Sequence, residues 1–196
     1  MQIRKRTIFD TPVIKPLIRW ISLLILKSIR WKVVRNIPDT RKFILIAAPH
    51  TSNWDFVLVL LIAFALNIKV YTMMKKEALD WTCGSIFNWL GVIPVDRSRH
   101  GTMVAQIVRA FDRTENLVVV IAPEATRKKV KRWKTGFYHI AIGADIPIML
   151  GFLDYERKTG GIGRMIVPKG DMESEMIEIK AFYADITGKY SENMSR

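Results

Sequence analysis

Residues 42–66 read KFILIAAPHTSNWDFVLVLLIAFAL, two almost wholly apolar runs parted by a short polar break. An unbroken apolar run cannot present one wet and one dry face, so each run must be covered on most of its surface. Residues 43–48 are too short for a stable helix and end at Pro49, which has no amide to give a ladder; they read as a buried strand. Residues 56–66 read as a helix buried nearly all round, with Ser52 as its N-cap and Asp55 three residues on. His50 then stands where the strand ends, beside free backbone N–H groups.

Residues five apart on one helix point about 140° away from each other, so His50 must precede the helix for its ring to meet Asp55. From a loop, the imidazole can fold over the first turn, give one ring nitrogen to Asp55 and keep the other as a base. The spacing leaves the bland reading open as well: a helix-capping Asp and a structural His.

At 196 residues the chain fits one domain with a sizeable core. One cysteine, Cys83, excludes an internal disulfide and a thiolate metal cluster, and histidines at 50, 100 and 139 make a dedicated zinc site improbable; nor is any other cofactor expected. The net charge of +13 is placed rather than spread. Residues 1–42 hold eleven Lys/Arg against two Asp/Glu, residues 127–134 hold six bases and no acid, and the segment from Asp171 carries six acids against three bases. The expected partner is anionic: nucleic acid, lipid headgroup or phosphorylated substrate.

Along residues 12–31, Ile14, Leu17, Ile18, Ile21, Leu24 and Ile25 recur at helical spacing with Lys15, Arg19, Lys27 and Arg30 between them. The apolar runs are too short to span a bilayer and no small-residue cleavage site follows, so an interfacial helix is expected, with Trp20 and Trp31 near headgroups; packing on its own domain is the alternative. Residues 1–36 are accordingly read as a basic membrane-interface segment and 37–196 as the α/β domain. Strands are expected at 69–74, 92–95, 117–122, 146–152 and 165–168, with a turn at 160–163. Helices fall up to Leu90, over 103–113 and over 173–183. Pro94 marks an edge or a strand end. The alternation gives a single α/β domain with a mainly parallel or mixed sheet flanked by helices. Arg97 emerges just past a strand, suited to gripping phosphate, or simply a solvated charge.

Four pieces in this order resemble the bacterial lysophospholipid acyltransferases of the 1-acylglycerol-3-phosphate acyltransferase type. They are H-x4-D at His50 and Asp55, G-x-I-P-x-D-R from Gly91 to Arg97, P-E-x-T-R from Pro123 to Arg127 with K-x-G at Lys134 to Gly136, and the IPI centred on Pro147. The resemblance implies transfer of an acyl group from acyl-CoA or acyl carrier protein to a glycerolipid hydroxyl, with His50 as general base and Asp55 orienting it. Gly91, Arg97, Glu124, Thr126 and Arg127 fall on acceptor-binding motifs, Lys134 and Gly136 on the extension of the third, and Pro147 on the fourth. It further implies membrane lipids as partners and a peripheral or monotopic place on the cytoplasmic face of the cell membrane. Where the family usually reads F-P-E-G-T-R-S, this chain has Ala122, Ala125 and Lys128. An alanine retained at 125 is expected to sit in ordinary backbone, its methyl group crowding the acceptor pocket.

A thioesterase using His50 on water, and a non-catalytic basic membrane-binding protein, are the competing functions. Nucleic acid is disfavoured as a partner because the charge brackets an apolar helix, no known binding motif appears, and the aromatics do not interleave with the basic cluster as a stacking platform would.

Overall fold

The computed structural model describes residues 6–75, 84–95 and 100–195. Seven strands form one sheet: β1 (Lys32–Arg35), β2 (Lys42–Ala48), β3 (Tyr71–Lys75), β4 (Val92–Val95), β5 (Leu117–Ile121), β6 (Ile148–Asp154) and β7 (Thr159–Ile166). Their order is β1-β7-β6-β2-β5-β3-β4. Neighbours run parallel except β6 and β7, which form an antiparallel pair. The helices are α1 (Ile14–Ser28), α2 (Trp54–Leu66), α3 (Gly84–Trp89), α4 (His100–Asp112), α5 (Gly136–Ala144) and α6 (Met172–Phe182). This is the expected α/β domain with a mixed sheet, and Pro94 does lie on an edge strand.

β2 shows why the central strands carry no polar alternation. Phe43 and Leu45 face a core shared with Leu58, Ile62 and Leu66 of α2, while Ile44 and Ile46 face a second core with Ile107, Phe137 and Ile140. Successive side chains point to opposite faces, and both faces are covered, so every position must be apolar. α2 is apolar all round for a related reason: the sheet lies on one side and α1, through Ile14, Ile18 and Leu26, on the other. Asn67 closes it in the left-handed conformation, with its N–H on the carbonyls of Ala63 and Phe64.

The basic N-terminal segment is built into this arrangement. Ile8, Phe9 and Leu26 are buried, Phe9 stacks on Phe64 at 4.3 Å, and β1 joins the sheet beside β7. KVVR has only two apolar residues between bases and sits at a sheet edge, so it leaves no recognisable period. α5 is likewise unmarked, since its nine residues follow a basic loop.

The glycine cluster at 160–163 is not the expected turn. It lies inside β7, and the reversal falls at 155–158, where Lys158 has φ 47°. The glycines answer to close packing rather than chain reversal: Gly161 has φ 145°, and a Cβ there would collide with the backbone oxygen of Val34. Gly161→Ala should therefore push β1 off β7 and destabilise the protein by more than about 2 kcal/mol. Urea unfolding monitored by far-UV circular dichroism measures this; an unchanged midpoint would show that β1 moves aside at little cost.

Candidate active site

β2 and β5 are adjacent parallel strands, so their C-terminal ends open on one side of the sheet. β2 runs out through Pro49 into the His50 loop, and β5 runs into Pro123, Glu124 and Ala125. The two sequence segments carrying most of the expected site are thereby brought together.

The loop folds the His50 ring back over α2 as the spacing requires: Nδ1 lies 3.0 Å from Asp55 Oδ2. The same oxygen accepts the backbone N–H groups of Thr51 and Ser52, each at 2.9 Å. Oδ1 accepts the Tyr155 hydroxyl at 2.6 Å. Burial alone would raise the Asp55 pKa, but the hydrogen bonds from His50, Tyr155 and the Ser52 amide outweigh it and hold the carboxyl below its ordinary value. An ionised Asp55 can only accept, so Nδ1 of His50 must carry the shared proton, and in the neutral form of the ring the lone pair is on Nε2. The helix begins differently from expectation. Asn53, not Ser52, precedes its first residue, and Ser52 Oγ instead accepts the Trp54 N–H at 3.2 Å.

Glu124 lies beneath the loop. It is buried, its Oε1 accepts the backbone N–H of His50 at 3.2 Å, and its Oε2 has no partner. Burial, opposed by the backbone hydrogen bonds, pushes its pKa up to about 7. Ala125 departs from expectation: at φ 56° it adopts the left-handed conformation that favours glycine, a strain on the order of 1 kcal/mol for an L side chain.

His50, Asp55, Ala125, Thr126, Arg127, Lys134 and Gly136 border a cavity of about 940 Å³, near the top of the range for small-molecule sites. His50, Thr126 and Arg127 border it from the loops that follow β2 and β5, and between α2 and the sheet it is lined by Val59, Ile62, Leu66, Val70 and Val120. Thr126, Arg127 and Lys134 are exposed, and the Lys134 N–H on the Pro123 carbonyl (2.8 Å) ties the basic loop to the site.

Three expected site residues stand apart from this cavity. Glu124 touches the His50 backbone instead. Gly91 has φ 86°, and a Cβ there would come within 2.7 Å of the Val70 oxygen. Pro147 precedes β6, its carbonyl bonded to the Ile44 N–H at the opposite end of the sheet. Arg97, like Cys83, lies outside the described residues. Among residues that no motif marks, Tyr155 enters from the β6–β7 turn, and the C-terminal segment crosses the loop through the Tyr190 N–H on Thr51 Oγ1 (3.2 Å). Both are remote in sequence from His50 and make contact only through sheet topology.

The model of the acyltransferase family matches residues 28–149, and the chain belongs to that family. The 1-acyl-sn-glycerol-3-phosphate acyltransferase of Haemophilus influenzae is 30% identical over 129 residues, 60% of this chain and 52% of that protein. The chain thus spans about half the length of this curated relative. The crystal structure of the 1-acyl-sn-glycerophosphate (LPA) acyltransferase of Thermotoga maritima superposes with a TM-score of 0.56 at 17% identity, covering 89% of this chain and 82% of that one. It shares the fold.

The raised pKa of Glu124 has a defined consequence for stability. Between pH about 4.5 and about 7 the unfolded chain has released this proton while the folded one holds it, so ionising Glu124 costs the fold stability as pH rises through that window. Glu124→Gln removes the titration and keeps an acceptor for His50 N–H. The difference in Tm between variant and wild type should grow in the variant's favour from pH 4.5 to 7; a constant difference would show that Glu124 titrates normally.

Proposed function

We propose that this chain transfers an acyl group from a thioester, acyl-CoA or acyl carrier protein, to a hydroxyl of a lysophospholipid or similar glycerolipid. The observation that carries the reading is the Asp55-oriented imidazole of His50 at the polar end of a long apolar cavity. The cavity suits an acyl chain, and the exposed Arg127 and Lys134 at its mouth suit an anionic headgroup.

Nε2 of His50 removes the acceptor hydroxyl's proton as its oxygen attacks the thioester carbonyl. The tetrahedral intermediate then collapses with loss of the thiol, which leaves as the imidazolium returns the proton. The new ester forms, the thioester breaks, and the enzyme is restored with no covalent intermediate and no cofactor in the scheme. Asp55 keeps the correct tautomer and stabilises the transient imidazolium.

His50→Ala should lower single-turnover acyl transfer to a lysophosphatidate acceptor by about 10²–10⁴-fold. Its fold should persist, because Asp55 keeps three other donors. More than a tenth of the rate surviving in a folded variant would overturn the base assignment. Label released only as free fatty acid, with and without acceptor, would instead mark a thioesterase.

The membrane is the natural place for such substrates. No helix among the described residues is long and apolar enough to cross one. α1, however, exposes Leu17, Trp20 and Leu24, which share the face opposite Ser22 and Leu26 at 100° per residue. With Lys27 beside Trp20 at 100° per residue, this face suits the acyl boundary of an anionic leaflet, while Lys15 and Arg19 fall towards the side of Ser22 and Leu26. Because Leu26 and Phe9 belong to the core, the test is substitution rather than truncation. Leu17→Glu with Trp20→Glu and Leu24→Glu should abolish cosedimentation with phosphatidylglycerol vesicles while leaving Tm intact, whereas high salt alone should release little wild-type protein. Undiminished binding of the triple variant would overturn the assignment.

A further inference from the structure

We propose that Tyr155 is a positioning residue for the catalytic pair, acting through Asp55; the proposal rests on His50 being the general base. Tyr155 falls in no motif of the sequence and stands 100 residues from Asp55, yet its hydroxyl makes the shortest hydrogen bond described for that carboxylate, 2.6 Å to Oδ1. Oδ2 is already occupied by His50 and two backbone amides. Without Tyr155, Oδ1 would lack a described partner at a buried site.

The phenol is held for this task from two sides. Its backbone N–H donates to the Thr187 carbonyl at 2.8 Å, and its ring meets the Trp31 ring edge-on, with centroids 5.2 Å apart at 87°. The turn that carries it is fixed by Asp154, which accepts the N–H groups of Glu156 and Arg157 at 3.1 Å and pairs with the Arg157 guanidinium at 2.8 Å. Burial and the hydrogen bond to Asp55 push the Tyr155 hydroxyl far above the ordinary phenol range, so it remains a donor.

A donor on Oδ1 withdraws charge from the carboxylate and fixes its rotation about the Cβ–Cγ bond. Both effects reach His50 only through Oδ2. Losing the donor makes Asp55 more basic and less fixed. The pair then holds its protons more tightly, and fewer molecules carry a correctly aimed free nitrogen. Trp31 lies between α1 and β1, so the proposed orienting chain runs from the N-terminal segment through Trp31, Tyr155 and Asp55 to His50.

Tyr155→Phe keeps the ring and removes only the hydroxyl. We expect kcat to fall roughly ten- to hundredfold, as for outer hydrogen-bond partners that orient a functional imidazole. KM for both substrates should stay within about twofold, and the ascending limb of the pH–rate profile should move to higher pH. Independently of turnover, the downfield Nδ1–H proton signal of His50, assigned by its loss in His50→Ala, should shift or broaden in Tyr155→Phe. Trp31→Leu should show the same direction of change at smaller size. A Tyr155→Phe protein with wild-type kcat, pH limb and Nδ1–H signal would overturn the proposal, as would a loss of rate arising wholly in KM. If wild type and His50→Ala alike transfer no acyl group, the functional reading fails, and the proton signal still decides whether Tyr155 positions the pair.

Discussion

The Asp55 carboxylate is the interaction on which the site depends. A buried carboxylate bearing full charge is tolerated only when its lone pairs are occupied, and here four donors occupy them. Two are amides of the loop that bears His50, so the charge that orients the imidazole also sets the path of the backbone carrying it. Removing the imidazole costs Asp55 one donor of four; removing the carboxylate leaves two loop amides, a phenol and a ring nitrogen without their acceptor. Asp55 is therefore structural whatever its chemistry: one carboxylate holds the path of the loop and the orientation of the imidazole.

The sheet supplies what that loop needs. β2 has neighbours on both sides, β5 along residues 42–46 and β6 along residues 44–48, so its end is a well-anchored place from which to project a side chain. The apolar cavity follows from the same order. α2 departs directly from the loop and packs along the sheet, and the gap between them begins where the polar groups end. An imidazole at one end and methylene-sized space beyond it are thus consequences of one strand–loop–helix unit.

That unit was legible because its signals are local: an unbroken apolar run, a proline, and a five-residue spacing that permits only a loop histidine. The second site segment is legible through residue types placed at a strand end, but the left-handed turn at Ala125 is not, because a tolerable strain looks the same in sequence as no strain at all. What could not be read depends on remote partners. Gly160 and Gly161 resemble a turn until β1 is known to lie against them, and β1 is invisible because an edge strand of four residues buries too little to impose a pattern. Tyr155 is a tyrosine after a strand like any other until the antiparallel return of β7 places its turn over Asp55.

Two acids beside one histidine illustrate how environment divides their roles. Asp55 and Glu124 are both buried and both within reach of His50, yet the first is pushed below its ordinary pKa and the second above it. Burial acts on both in the same direction; the difference is the number of donors. Glu124 is held by backbone hydrogen bonds alone, that from His50 at 3.2 Å, and its Oε2 has no partner. A second full negative charge close to Asp55 would be repelled by it, and that repulsion adds to the burial that raises Glu124. Leaving Glu124 poorly solvated keeps that charge partial near neutral pH, while its Oε1 still supports the His50 backbone. Poor solvation thus leaves Glu124 partly protonated near neutral pH, at a cost in stability, beside an Asp55 that stays ionised.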